Sequence, residues 1–81
     1  MLKVTLYTKM NCPLCDKAYE AIKEVNKEID FNLEILDIYE DDHLLEEYQL
    51  LIPVIKGNDN LIAYGQISKE LLRKRLLETN S

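Results

Sequence analysis

The N-terminal part of the chain shows two hydrophobic periodicities, separated by a pair of cysteines. Leu2, Val4 and Leu6 occupy every second position, and this period of two predicts a strand that ends near residue 7. After the cysteines, apolar residues recur at intervals of three and four, which is typical of the buried side of a helix. These residues are Ala18, Ala21, Ile22, Val25 and Ile29. The helix should therefore begin at the cysteines and end around residues 27–30.

A second strand is predicted over residues 31–38, where Phe31, Leu33 and Ile35 share one face and no turn residue interrupts the run. Strand, helix and strand in this order predict a parallel βαβ unit. Residues 40–48 begin with acidic side chains and continue with an apolar face, so a short helix is expected there. Asp41 or Asp42 would cap its N-terminus.

The C-terminal half of the chain contains a hairpin signal followed by a helix signal. The apolar runs 54–56 and 61–64 flank four residues, GNDN, that tolerate left-handed conformations. Ser68 is predicted to cap a last helix with an inward face of Ile67, Leu71, Leu72 and Leu76, and residues 79–81 are expected to form a frayed tail. The order βαβαββα predicts an α/β fold with a four-stranded mixed sheet and helices on both faces.

Composition narrows the class of protein. With 81 residues and 47% hydrophobic composition, the chain should form one small domain over residues 1–81, and we expect a monomer. No run approaches the ~20 apolar residues of a membrane span, and residues 1–7 lack the features of a signal peptide, so a cytoplasmic protein is expected. The net charge of −5 argues against binding to nucleic acid, which requires clustered basic residues.

The two cysteines are the strongest candidate for chemistry. In the segment CPLC, Cys12 precedes Pro13, and proline favours the first turn of a helix because its missing amide would have no partner there. Cys12 is therefore expected at the helix cap, where free amides and the helix dipole lower the pKa of a thiol. Cys15 lies almost one turn further in. The spacing allows Cys12 to attack a disulfide and Cys15 to resolve the resulting mixed disulfide.

Other interpretations of these residues stay open at this point. A structural pair and a metal-binding pair are the alternatives, although zinc usually requires four ligands and His43 is the one histidine of the chain. Two chains together would supply four thiolates for a shared metal or iron–sulfur centre. Lys9 is either a positive charge near the thiolate or an ordinary surface lysine. Pro53 is either a plain strand start or a cis-proline that turns the backbone of Ile52 outward to pair with an extended substrate.

The segments YTKMNCPLC and IPV, together with the order of elements, resemble the thioredoxin fold in its short glutaredoxin form over nearly the whole chain. The resemblance implies dithiol–disulfide exchange with Cys12 as nucleophile, Cys15 as resolving thiol, Lys9 as charge partner and Pro53 as a cis-proline. It also implies a disulfide-containing protein substrate, an electron donor that is glutathione or a protein, and no required metal or organic cofactor. A binding module on the same fold, either bridging a metal or not catalytic, is the alternative.

The sequence departs from this family in the residues that hold glutathione. Leu14 occupies a position that is aromatic in typical glutaredoxins, and AYGQIS replaces a double glycine and an acidic residue. Of the residues that form this substrate-holding loop in the family, Gly65 is retained. Tyr64 and Tyr7 are expected at strand ends, where they would line a groove. Weak use of glutathione is therefore predicted. The acidic stretch 40–47 is expected to be a solvated helix face, with a surface for partner docking as the alternative.

Overall fold

The computed structural model describes residues 2–80 and has the predicted order of elements. The strands are β1 (Lys3–Thr8), β2 (Asn32–Asp37), β3 (Val54–Gly57) and β4 (Asn60–Tyr64). The helices are α1 (Pro13–Asn26), α2 (Asp42–Tyr48) and α3 (Lys69–Asn80), and a 3-10 turn over Ile38–Glu40 joins β2 to α2.

The four strands form one mixed sheet in the order β2-β1-β3-β4. β1 runs parallel to β2 and antiparallel to β3, and β3 runs antiparallel to β4. In this register Tyr7 pairs with Val54, which pairs in turn with Tyr64. The segments that follow β1, precede β3 and follow β4 consequently meet at one end of the sheet, beyond the last residues of β1.

Alternation along the strands gives the sheet two different faces. Leu6 and Ile55 point toward α1 and α3, whereas Tyr7 and Val54 point toward α2. The α1 and α3 face holds the main core, in which each fully buried aliphatic side chain contributes ~1.5–3 kcal/mol. Its other buried members are Leu2, Val4, Ala18, Ala21, Ile22, Val25, Ile29, Phe31, Ile62, Ala63, Leu72 and Leu76. The predicted α/β fold with helices on both faces is confirmed.

Local signals in the sequence set the ends of several elements. The Ser68 hydroxyl accepts the N–H of Leu71 at 3.1 Å and caps α3, and the Asp41 carboxylate accepts the N–H of His43 at 2.8 Å and caps α2. Asn58 and Asp59 have φ values of 48° and 70°, and they form the tight turn between β3 and β4.

Several predicted boundaries are wrong by one or two residues. β2 begins at Asn32 rather than at residue 31, and α2 begins at Asp42 rather than at residue 40. Ile38 belongs to the 3-10 turn and not to β2, because the Asp37 carboxylate accepts the N–H of Tyr39 at 2.9 Å and turns the chain. α3 continues through Thr79, whose hydroxyl donates to the carbonyl of Arg75 at 3.0 Å, so this residue is not frayed. Ser81, the end of the predicted tail, lies outside the described residues. Within residues 2–80, no helix has the length and apolar character required to cross a membrane.

Candidate functional site

Cys12 forms the N-cap of α1, and Pro13 is the first residue of the helix. The Cys12 backbone is extended, with φ −120° and ψ 101°, and its sulfur accepts the N–H of Cys15 at 3.2 Å. Asn11, just before it, has a φ of 56°, so the chain passes through the left-handed region as it enters the helix. The predicted position of Cys12 at the helix cap is confirmed, and its sulfur lies where backbone amides stabilise negative charge.

The two cysteines are joined in a disulfide, with their Cα atoms 5.2 Å apart. Both cysteines are buried, and Cys12, which is 8% exposed, is more exposed than Cys15, which is 2% exposed. Met10, two residues before Cys12, is 78% exposed, and Leu14, between the two cysteines, is 42% exposed. The segment that carries the disulfide therefore also exposes apolar side chains.

One side of the disulfide, which we call the proline side, consists of residues 51–53 and 64–65. The Ile52-Pro53 peptide bond is cis, as the resemblance implied. Gly65 has a φ of 73°, and its N–H is shared between the carbonyls of Leu51 at 3.1 Å and Pro53 at 2.9 Å. Pro53 is buried, Ile52 is half-buried, and Tyr64 ends β4 with 55% of its surface exposed. The structure therefore brings the predicted substrate-binding residues together at the end of the sheet where β1 stops.

Lys9 immediately follows β1 and is half-buried. Its ammonium group forms no ion pair with any side chain of residues 2–80. The charge is thus available for an anion near the loop that leads to Cys12. Its role in stabilising the thiolate stays a prediction, as does that of Pro13.

Beneath the proline side, two tyrosines and a lysine pack together on the α2 face. The rings of Tyr7 and Tyr48 lie 4.6 Å apart, and the Lys56 ammonium lies 5.7 and 5.5 Å from their centroids. Burial raises the pKa of Tyr7, and a hydrogen bond with Tyr48 raises the pKa of Lys56. Ile52 packs against the same cluster. Tyr7 and Ile52 therefore pack against the same buried cluster, which contains Tyr48.

The other side of the disulfide, which we call the β2 side, opens into a cavity that sequence reasoning missed. Its lining includes Cys15, Thr8, Tyr19 and Ile35. Ile35 is 49% exposed although it lies in a strand and is apolar. The sequence does show that β2 mixes polar and apolar residues. That pattern alone does not reveal which residue of β2 lines the cavity beside Cys15.

A metal site is one of the predicted alternatives for the cysteine pair. Among residues 2–80 there is no group of three or more histidine, cysteine, aspartate or glutamate side chains arranged to hold a metal ion. A metal-bridging module would therefore require thiolates from a second chain.

Comparison with known proteins identifies the family and the fold. The model of the glutaredoxin-like domain family (DUF836) matches residues 3–77. The chain belongs to this family. A protein of X. campestris with a known X-ray structure is 28% identical, with a TM-score of 0.76 over 93% of this chain and 96% of that one.

More distant structures share the fold. A protein from Nitrosomonas europaea, solved by NMR, is 22% identical with a TM-score of 0.76, and the match covers 88% of this chain and 86% of that one. Glutaredoxin 1 from Francisella tularensis, solved in complex with cacodylate, is 22% identical with a TM-score of 0.51 over 99% and 98% of the two chains. The glutaredoxin-like fold and the paired cysteines together point to a thiol redox role for this member of the family.

Proposed function

We propose that this chain is a glutaredoxin-like thiol–disulfide oxidoreductase that reduces disulfides of partner proteins through Cys12 and Cys15. The observation that carries the proposal is the pairing of these two sulfurs at the N-terminus of α1, with Cys12 as the cap. A pair at this position supports a reactive thiolate and a resolving thiol, because helix amides favour the anion and the second thiol lies within bonding distance.

The reaction begins with the reduced protein. The Cys12 thiolate attacks one sulfur of the substrate disulfide, a Cys12–substrate disulfide forms, and the other substrate sulfur leaves as a thiolate that takes a proton from solvent. Cys15 loses its proton and attacks the Cys12 sulfur, which releases the second substrate sulfur as a thiol. Two electrons pass to the substrate, and the protein is left with the Cys12–Cys15 disulfide seen here.

The surrounding residues have separate roles in this proposal. Lys9 and Pro13 favour the Cys12 thiolate, the first by its charge and the second by fixing the start of the helix. Ile52 and Pro53 present backbone to an extended substrate, while Tyr64 and Gly65 line the same side. The chemistry requires no metal or organic cofactor in the proposed cycle.

A separate electron donor must return the disulfide to the dithiol, and we propose a protein donor as the main source, with glutathione as a poor cosubstrate. A monomer in the cytoplasm fits this cycle, because a reducing compartment keeps the pair in its active form. Neither nucleic acid nor a membrane takes part.

The test is catalysis of insulin reduction with dithiothreitol as electron source. We expect the unmodified protein to accelerate the reaction, and Cys12→Ser to fall to the uncatalysed rate because the attacking sulfur is lost. Leu61→Ser, at an exposed position of β4 far from the cysteines in sequence, serves as a matched control that keeps activity. An unmodified protein that is inactive, yet binds iron or zinc with thiolate ligands after purification, would favour the metal-bridging alternative.

A further inference from the structure

The β2 side of the disulfide continues into a groove longer than the cavity beside Cys15. Two cavities, of about 170 and 430 Å³, both touch Thr8 and Ile35 and so meet across the ends of β1 and β2. The smaller one reaches Cys15, and the larger one extends to Leu44 of α2. A groove therefore runs from the redox pair to the start of α2, and its larger part lies in the ~300–1,000 Å³ range of typical binding sites.

The groove exposes apolar surface on a strand at the edge of the sheet. Ile35 is 49% exposed, and β2 pairs with β1 alone. On the opposite edge of the sheet, Arg75 of α3 donates to the carbonyl of Ile62 in β4 at 2.8 Å. In contrast, among the residues that the structure describes, no side chain forms a hydrogen bond with the backbone of residues 33–36. Such an edge offers backbone groups to an extended segment of another chain.

The charges that line the groove have one sign. Four carboxylates, from Asp16, Asp37, Glu40 and Asp41, line the two cavities, and no lysine, arginine or histidine does. Elsewhere Glu24, Glu28 and Glu34 are each paired with a basic side chain, but none of the four groove carboxylates forms an ion pair within residues 2–80. Asp37 and Asp41 each accept one backbone N–H through Oδ1, which leaves the second oxygen for a ligand.

We propose that this groove binds a basic, extended segment of the partner protein whose disulfide the Cys12–Cys15 pair reduces. The inference rests on the proposed function and adds the class of substrate to it. Apolar side chains of the segment would cover Ile35, its lysine or arginine side chains would pair with Asp37 and Glu40, and its backbone would lie along β2. The unpaired carboxylates favour a cationic occupant, and the contact with Cys15 places that occupant beside the reacting sulfurs.

The test uses three peptides with the same internal disulfide, flanked by lysine, serine or glutamate residues. We expect kcat/KM for the lysine peptide to exceed that for the glutamate peptide by roughly tenfold at low salt, since several exposed charge pairs of modest strength act together. High salt should reduce this preference. Asp37→Asn combined with Glu40→Gln should remove most of the preference, by lowering kcat/KM for the lysine peptide toward that for the serine peptide.

A matched control distinguishes the effect of the groove carboxylates from the effect of the protein's net charge. Asp30→Asn combined with Glu46→Gln makes the same change in net charge at two exposed positions that do not line the groove. This variant should keep the preference for the lysine peptide. Equal rates for all three peptides with the unmodified protein, or an equal loss of preference in the two double variants, would overturn the inference.

A binding measurement distinguishes failure of the groove from failure of the redox cycle. The lysine peptide with serine in place of its cysteines should shift the backbone NMR signals of Ile35 and Asp37 in the oxidised protein. If this binding occurs while no disulfide is reduced, the groove proposal stands and the proposed activity is wrong. If disulfides are reduced but these signals do not shift, the groove proposal is wrong. Equal shifts caused by a polyamine alone would make it a site for small cations and would also overturn it.

Discussion

The two sides of the Cys12–Cys15 disulfide offer a partner different kinds of groups. On the proline side, the shared N–H of Gly65 holds the backbone of residues 51–53 in place. On the β2 side, Ile35 and Asp16 line the cavity that reaches Cys15, and further unpaired carboxylates line the adjoining cavity. Every extended peptide has the backbone groups that the proline side would contact, whereas only some have the charges that suit the β2 side. In our proposal, the proline side thus provides affinity for any extended peptide, and the β2 side provides selectivity for basic ones.

The largest effect that separates the two sides concerns glutathione. Glutathione is anionic, so the carboxylates of the β2 side should repel it, and we expect a protein donor to reduce the disulfide roughly tenfold faster at equal thiol concentration. Stopped-flow reduction of the oxidised protein measures both rates. Asp37→Asn with Glu40→Gln should raise the rate with glutathione, and Asp30→Asn with Glu46→Gln should raise it less. Reduction by glutathione at the rate of a protein donor would remove the selective role of the β2 side.

A smaller effect tests the proline side. A Cβ at Gly65 meets no atom within 4 Å, so the cost of Gly65→Ala comes from its φ of 73°. This substitution should lower the free energy of unfolding by about 1 kcal/mol. Gly65→Asn should cost less, because asparagine tolerates the left-handed region. Urea unfolding of the oxidised proteins measures both; if alanine and asparagine cost the same, backbone conformation does not explain the glycine.

The smallest effect concerns the cluster that supports the proline side. The pKa values of Tyr7 and Lys56 are both raised, the first by burial and the second by the hydrogen bond with Tyr48. The folded protein therefore holds these protons more tightly than the unfolded chain. Their contribution to the free energy of unfolding is fully present below the ordinary pKa values of 10.0 for tyrosine and 10.5 for lysine. It is lost as the pH rises through the raised pKa values of the folded protein.

Unfolding of the oxidised protein from about pH 8 to about pH 11 measures this loss. Tyr7→Phe should make the decrease in the free energy of unfolding shallower. Tyr64→Phe, at an exposed position, should remove less of it. Equal slopes for the two variants would show that the tyrosine cluster is not the source of the pH dependence.

Much of the fold could be predicted because its signals are local. Alternation in β1, the turn at Asn58 and Asp59, and the cap at Ser68 each depend on a few neighbouring residues. The errors at residues 38 and 79 arose from hydrogen bonds made by Asp37 and Thr79, which the hydrophobic pattern does not register.

The candidate site was predictable in part for the same reason. Cys12 and Pro13 specify a helix cap by themselves, whereas the cis bond at Pro53 was implied by the family resemblance. The groove on the β2 side was not predictable. It depends on where α2 begins relative to Ile35 and Asp37 in β2, and this spacing is set by tertiary packing rather than by a residue pattern.

The most direct test of the central claim is to trap the mixed disulfide. Cys15→Ser and Cys12→Ser, both reduced, are mixed with a protein disulfide and quenched with acid, and intact masses are measured. We expect a covalent adduct with Cys15→Ser, because Cys12 attacks and no resolving thiol remains, and none with Cys12→Ser on the same timescale. An adduct that forms faster with Cys12→Ser would show instead that Cys15 is the nucleophile.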